Sequence, residues 1–468
     1  MRCKERTFKM YKIDFNNKIH IHFIGIGGIS MSGLAEILLG AGFTISGSDR
    51  DASDLTKHLQ SLGAKVNYPQ AAANITDDID LIVFTAAIHE DNPEFIAAKE
   101  SGKPMLTRAE LLGEIMANYP ESITVAGTHG KTTTTSMISQ ILLETSKEPT
   151  ITVGAILDAI HSNVHVGNSD LFVAEACEYT NSFHAFFPKY NIILNVEADH
   201  LDFFKNLDNV RASFRQFAEN TSDDGILIIN KEIDNVDYFT EGLKCKVITY
   251  SLKGDADIVP TNITYNEKGF ASFTPVYKGA ELGRISLNVP GDHNISNSLS
   301  AIVLCLEMGV DYNHIQTGLA KFGGAHRRFE LKGTYKGATI IDDYAHHPTE
   351  IKASLAAAAN YPHNRVIVCF QSHTYTRTLN HLDDFAKALS AADMVILPDI
   401  YPAREPDIYG VSSKDIAERI EKLGTEAHYL GSFEACEKFL EKNLLNNDLL
   451  ITMGAGDVYL VGENLLNN

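Results

Sequence analysis

The stretch TVAGTHGKTTTTSM, residues 124–137, carries the residue types of a phosphate loop. A Walker A loop reads G-x-x-x-x-G-K-[ST]. Its backbone N–H groups cradle the phosphates, its Lys reaches the β- and γ-phosphates, and its hydroxyl holds Mg²⁺. Gly130, Lys131 and Thr132 fit the end of that pattern. Val125 stands where the first glycine belongs, and Gly127 is the nearest one. Thr128 and His129 fill the shortened loop, and Thr133 follows it. SITVAG ahead of it reads as a strand, so strand, loop and helix come in the order that anion binding at a helix N-terminus requires. TTTTSM is β-branched and a poor helix start by propensity alone; a bound phosphate and threonine capping would offset that. The chemistry expected here is ATP with Mg²⁺.

A second glycine-rich turn, GIGGIS at 25–30, aligns on G-x-G-x-x-G through Gly25 and Gly27, with Gly28 inside it and Ser30 in place of the last glycine. Asp49 lies 24 residues after Gly25, about where a ribose-binding acid would stand. A nicotinamide dinucleotide is one reading of this turn, and a structural turn is the other.

Carboxylates and imidazoles cluster further on. Glu175 ends the strand-like DLFVAEA, and Glu197, Asp199, His200 and Asp202 follow YNIILNV. Ligands of open parallel sheets sit at strand C-termini. A carboxylate and a His there suit a metal bridging phosphates; a solvated acidic loop is the alternative. In GDHNISNSL, His293 precedes Asn294 and Asn297, whose i, i+3 spacing puts two amides on one helix face. They could read an adenine edge or cap a helix. HRRFE supplies Arg327 and Arg328, DDYAHHP supplies Asp342, Asp343, Tyr344, His346 and His347, and SHTYTRT supplies His373 and Arg377. The Arg fork suits phosphate or carboxylate, and either His of DDYAHHP could read a carboxylate or orient an amine.

The elements that must position these groups fall into three α/β blocks, about what 468 residues allow. To about residue 119, KIHIHFI, FTISGSD and LIVFTAAI alternate with helical patterns such as SMSGLAEILLGAG, which Gly42 ends. A parallel, doubly wound sheet is expected. After Asn118-Tyr119-Pro120 a second block offers SITVAG, ITVGAIL, DLFVAEA, YNIILNVE and GILIIN, then antiparallel strands over 258–290 and a helix from GDHNISNSL. From about Arg327, ATIIDDY, RVIVCFQ, DMVILPDI, EAHYL and LLITMGAGD alternate with helices as a second doubly wound unit.

Composition narrows the function classes. Net charge is −20, with 60 acidic and 40 basic residues, which argues against nucleic acid as the main partner. No apolar run reaches the ~18–20 residues of a membrane span, so no membrane insertion is expected. MRCKERTFKMYKIDFNNK lacks an apolar stretch or cleavage site and reads as an unstructured lead-in. The six cysteines are widely spaced without a C-x-x-C pair, as suits a reducing cytoplasm.

AGTHGKTTTTSM, EACEYTNSF, VEADHLDFF, GDHNISNSLSAI, GGAHRRFE, DDYAHHPTE and MGAGDVY, in this order, resemble the Mur ligases of bacterial cell-wall synthesis. HFIGIGGISMSGLAEILL and SGSD are most similar to the members that add the first amino acid, L-alanine, to UDP-N-acetylmuramate. The resemblance runs from about residue 20 to 460. It implies a UDP-sugar-binding domain at 1–119, Rossmann-like; an ATP-binding domain at 120–324, of P-loop ATPase type with added antiparallel strands; and a Rossmann-like amino-acid-binding domain at 325–468. It further implies that Gly25, Gly27, Gly28, Ser30, Asp49, Thr85, Ala86, Ala87, Ile88 and Arg108 hold the UDP-sugar. Gly127, Thr128, His129, Gly130, Lys131, Thr132, Thr133, His293, Asn294, Asn297, Arg328 and Asp343 would bind ATP. Thr132, Glu175 and His200 would hold Mg²⁺, as two ions that Mn²⁺ could replace. Tyr344, His346 and Arg377 would meet the amino acid. Lys131, Glu175, His200, Arg328 and His346 would carry the catalysis. Thr374 departs from the pattern, because some members have a basic residue there. The expected partners are UDP-N-acetylmuramate, ATP and L-alanine, for a monomer or a homodimer. A ligase attaching a whole tripeptide to the same sugar, a nicotinamide oxidoreductase and an ATP-holding switch are the rival expectations.

Overall fold

A computed structural model describes residues 11–467 apart from Ala86 and Arg404, with Asp202 described by its backbone alone. The first ten residues of the expected lead-in lie outside this range. The rest of it is anchored, against expectation. Ile13 is buried, its N–H donates to Glu114 Oε2 at 3.1 Å, and Phe15 N–H donates to Asn118 Oδ1 at 3.0 Å. Apolar residues in a polar stretch give it something to bury.

The first sheet holds β1 (His20–Ile24), β2 (Thr44–Ser48), β3 (Lys65–Asn67), β4 (Leu81–Phe84) and β5 (Met105–Thr107) in the order β3-β2-β1-β4-β5. All its pairings are parallel. Between the strands run α1 (Ile29–Gly40), α2 (Asp54–Ser61) and α3 (Pro93–Glu100), and α4 (Arg108–Met116) follows β5. Both sheet faces are covered. Ile21 and Phe23 join the core under α1, whereas Ile24 and Ile82 pack with Phe95 and Ala98 of α3. Strand order reverses between β1 and β4, so the GIGGIS turn sits where open α/β sheets bind ligands. α1 ends as its sequence proposes: Gly42 takes φ +88°, and Phe43 N–H returns to Leu38 O at 3.0 Å.

The second block contains β6 (Glu121–Ala126), α5 (Lys131–Leu143), β7 (Thr150–Leu157), β8 (Ser162–His165), β9 (Leu171–Ala176), β10 (Tyr190–Ile193), α6 (Leu201–Phe204), α7 (Leu207–Glu219) and β11 (Ile226–Asn230). Its strands lie in the order β11-β10-β6-β9-β7-β8, parallel except for the β7–β8 hairpin. After α8 (Asp237–Thr240), β12 (Lys246–Tyr250) pairs through Tyr250 with Ile258 of β13 (Ile258–Tyr265). β14 (Phe270–Tyr277), β15 (Ala280–Glu281) and β16 (Ile285–Pro290) continue as the antiparallel addition that the alternating sequence predicts. α9 (Asp292–Glu307) and α10 (Tyr312–Lys321) close the block.

The third sheet runs β17-β18-β22-β19-β20-β21, formed by β17 (Glu330–Tyr335), β18 (Ala338–Asp343), β19 (Val366–Phe370), β20 (Met394–Pro398), β21 (Glu426–Gly431) and β22 (Leu449–Met453). It is parallel apart from β17, an antiparallel edge strand the sequence reading did not include. Its helices are α11 (Pro348–Ala359), α12 (Tyr375–Asn380), α13 (Leu382–Leu389), α14 (Ser413–Lys422), α15 (Phe433–Asn443) and α16 (Tyr459–Asn467). Neighbouring strand residues alternate between two cores. Ile341, Val368 and Ile451 face α11, α13 and α14, while Ile340, Ile367 and Leu450 face α15 and α16. Burial on both faces explains why these strands read as unbroken apolar runs.

By packing, the chain forms two compact units. One holds the described residues up to Lys131 with Thr145–Ile248; the other holds Thr132–Glu144 with the chain from Thr249 onward. In the first unit, α1 lies so close to β8 that a Cβ on Gly33 would fall 2.3 Å from Val164 Cγ2. No helix among the described residues is long and apolar enough to cross a membrane.

Candidate active site

The end of β6 delivers the phosphate loop, and the end of β10 grips it. Gly127 takes φ +151°, and a Cβ there would fall 2.9 Å from Leu194 Cβ, so the position demands glycine. Asn195 holds the next turn at both backbone groups of His129. Its Oδ1 accepts the N–H at 2.8 Å, and its Nδ2 donates to the carbonyl at 3.0 Å. Thr128 Oγ1 accepts Glu197 N–H at 2.9 Å, and His129 Nε2 lies 3.6 Å from Glu197 Oε2. The loop shape is therefore set by a clamp from the neighbouring strand rather than by a glycine at 125.

Lys131 opens α5 and donates to Gly127 O, to Thr128 O at 3.1 Å and to Glu178 Oε2 at 2.9 Å. Glu178 is only 2% exposed. Its other oxygen lies 3.7 Å from His200 Nε2, so Lys131 and His200 converge on one carboxylate. Burial works against the Lys131 ammonium, but Glu178, with Cys177 and Glu175, lifts its pKa above the ordinary value. Glu175 is the acid the sequence singled out. Its Oε1 accepts Gly154 N–H at 2.6 Å, while its charge still reaches Lys131. His200 takes φ +53°, and Thr180 and Asn181 take φ +55° and +58°. Left-handed non-glycine residues cost on the order of 1 kcal/mol and gather at functional sites. The Tyr179 ring stands 4.7 Å from the His200 ring.

In the first sheet, Gly27 N–H donates to Asp49 Oδ2 at 2.7 Å, and Arg50 N–H donates to Asp49 Oδ1 at 2.7 Å. Both Asp49 oxygens thus serve the two strand-end turns, which accounts for the acid without a dinucleotide ribose. Gly28 caps α1, and Ser30 lies exposed in its first turn. Thr85 N–H donates to Ile24 O at 3.4 Å, and Ile88 N–H returns to Thr85 O at 3.2 Å. This turn sets Thr85 and Ile88 beside Gly25, and Ala87 N–H donates to Thr85 Oγ1 at 3.4 Å; Ala86 lies outside the described residues. Arg108 opens α4, and both it and Lys131 pull on the Cys177 thiol, which burial and Glu178 hold above its usual range.

The second unit gathers the remaining residues. α9 starts at Gly291 without a side-chain cap, so Asn294 and Asn297 are not capping it. Both are buried; Asn294 Nδ2 donates to Pro290 O at 2.8 Å, and Asn297 Nδ2 donates to Asn294 Oδ1 at 3.2 Å. His293 precedes them on the exposed side. Arg327 is structural: its Nε donates to Asp342 Oδ2 at 2.9 Å and its Nη2 to Gly454 O at 2.8 Å. Arg328 instead faces Glu350 Oε1 at 3.7 Å and lies 5.2 Å from the Tyr344 ring centre. Asp343 is turned inward, accepting Ser354 Oγ and Ala345 N–H, and burial raises its carboxyl to about 6. His346 is oriented by Tyr344 O at 3.0 Å and Glu350 Oε2 at 3.3 Å. It stands 6.1 Å from the His373 ring, whose Nδ1 lies 3.4 Å from Arg377 Nη1. His373 thus stands between His346 and Arg377, and the Tyr344 ring lies 5.5 Å from that of His346. Thr374, at the position of the departure, caps α12, its Oγ1 accepting Arg377 N–H at 3.4 Å.

Sequence reasoning passed over Glu178, Asn195 and Glu350. Glu350 was findable, since His347-x-x-Glu350 forms a capping box at α11. Glu178 and Asn195 act across strands and leave no local signature.

Three family models cover the chain: "Mur ligase family, catalytic domain" at residues 20–120, "Mur ligase middle domain" at 125–305 and "Mur ligase, glutamate ligase domain" at 327–456. The chain is 61% identical to the UDP-N-acetylmuramate–L-alanine ligase of Agathobacter rectalis, over 98% of this chain and all of that one. The chain belongs to the Mur ligase family. The ligase of the same name from Lachnospira eligens is 58% identical over 98% of this chain and all of its own. Among solved structures, the UDP-N-acetylmuramate-alanine ligase of Thermotoga maritima superposes with a TM-score of 0.79 at 29% identity, over 96% of this chain and 98% of that one. A murein peptide ligase from Psychrobacter arcticus shares the fold, with a TM-score of 0.69 at 23% identity over 96% and 98%. The three-domain α/β architecture of a Mur ligase is therefore the architecture observed here.

Proposed function

We propose that this Mur ligase joins L-alanine to the carboxylate of UDP-N-acetylmuramate, converting ATP to ADP and phosphate, in peptidoglycan precursor synthesis. One observation carries the reading: near end-to-end identity of 61% and 58% to ligases of that name. The geometry supports the ATP step, because Lys131 and His200 converge at the phosphate loop.

The muramoyl carboxylate attacks the γ-phosphate, giving an acyl phosphate and ADP. The amine of L-alanine then attacks the acyl carbon, and phosphate leaves. Such chemistry asks a protein chiefly for positioning and charge neutralisation. The loop N–H groups and Lys131 hold the phosphates. Asn294 and Asn297 contact the adenine, Arg328 a phosphate and Asp343 the ribose. The two turns after β1 and β4, with Arg108, hold the UDP-sugar, and Tyr344, His346 and Arg377 position the alanine. The donor types fit a hard divalent cation: the Thr132 hydroxyl, the Glu175 carboxylate and the His200 imidazole would hold Mg²⁺, as two ions, and the imidazole makes Mn²⁺ a workable substitute. When bound, the cation supplies neutralisation of phosphate charge. Domain limits at 119/120 and 324/325 separate the three duties.

Phosphate release measured with UDP-N-acetylmuramate, ATP and L-alanine together should exceed release with any one omitted. Release that ignores L-alanine, or faster turnover with a tripeptide, would reject the reading. Lys131→Ala should abolish turnover while UDP-sugar binding, followed by calorimetry, survives.

A further inference from the structure

Lys131 has three N–H donors, and all three already have protein acceptors: Gly127 O, Thr128 O and the Glu178 carboxylate. The two carbonyls belong to the loop's own backbone. Glu178 comes from the segment after β9 and is the one charged acceptor of the three. A phosphate oxygen that engages Lys131 must replace one of them. Two anions sharing one half-buried ammonium leave a negative charge uncompensated in a site where charge is expensive.

We propose that Glu178 is the built-in counter-ion of Lys131, which incoming phosphates displace, and that it thereby makes nucleotide binding dependent on a divalent cation. Lys131 Nζ reaches both carboxylate oxygens, Oε2 at 2.9 Å and Oε1 at 3.3 Å, so the pairing that phosphate must break is two-pronged. Glu178 is in this sense a positioning residue: it acts through Lys131. Its burial at 2% exposure holds the competition at a fixed geometry instead of leaving it to solvent. The inference rests on the ATP-using reading above but not on the identity of the amino acid.

The test is ADP binding to the full-length protein, by calorimetry, in EDTA and in saturating Mg²⁺. Glu178→Gln keeps the shape and removes the charge. In EDTA it should bind ADP at least about fivefold more tightly than the parent, because one buried anion no longer opposes the phosphates. In Mg²⁺ the two proteins should differ by less than about twofold. Glu178→Ser, a second neutral variant with less bulk, carries the same expectation. Glu178→Asp keeps the charge and should keep the parent's dependence on Mg²⁺. A lesion that merely loosens the loop would weaken binding under both conditions, so the sign of the change separates the two roles. Equal or weaker ADP binding in EDTA by folded neutral variants that retain UDP-sugar binding would overturn the proposal. Failure of the parent to bind ADP even in Mg²⁺ would instead overturn the ligase reading.

Discussion

Asp343 shows how one buried carboxyl ties local packing to pH. Burial raises its pKa to about 6, outweighing the Ser354 hydroxyl, Arg328 and the Ala345 N–H that favour the anion. Its folded pKa therefore lies above its unfolded one. The stability it contributes is fully present below about pH 4 and is lost as pH rises through about 6. Asp343→Asn removes that titration. Between pH 4 and pH 7.5 the parent should lose about 2–3 kcal/mol relative to Asp343→Asn, read from urea unfolding at the two values. A difference independent of pH would show that Asp343 is ionised throughout. Asp343 was visible in DDYAHHP as a chemical group, but its inward turn was not, because its partner Ser354 lies 11 residues on, inside α11.

At the scale of elements, the contact between α1 and β8 leaves no room for a side chain at Gly33. Gly33→Ala improves helix propensity by about 1 kcal/mol, yet its Cβ would overlap Val164. Overpacking should win, lowering stability by about 1–3 kcal/mol. Val164→Ala in the same chain should restore part of the loss, measured as thermal midpoints of the two single variants and the double. Elements of this kind divide into the legible and the hidden. β1, β4, β6, β9, β10 and β19 were legible because parallel strands buried on both faces are apolar runs bounded by turns. β8 and β17 were not: SNVH is short and polar, and ELKGTY is exposed or half-buried along its length. The phosphate loop was legible as strand, glycine turn and helix. Its clamp by Asn195 was not, since side chain and loop lie 66 residues apart in sequence.

For the whole molecule, the chain crosses between its two units at 131/132, 144/145 and 248/249. α5 belongs by packing to the second unit, where a Cβ on Gly318 of α10 would come within 2.6 Å of Ile141 Cα. Its Met137, Ile138, Ile141 and Leu142 are fully buried. A fragment ending at residue 248 would lose α10 and expose that apolar surface. It should aggregate when expressed alone, and limited proteolysis of the full chain should release no stable fragment of that length. A soluble, monomeric fragment on gel filtration would contradict this packing. The contact between Tyr179 and His200 has a use in the laboratory. The chain contains no tryptophan, so tyrosine dominates its near-ultraviolet emission. Tyr179→Trp would place a single indole against His200, the ring 4.7 Å away in the parent. Excited at 295 nm, it would be the sole fluorophore, an optical probe reporting ligand arrival at the phosphate loop in real time.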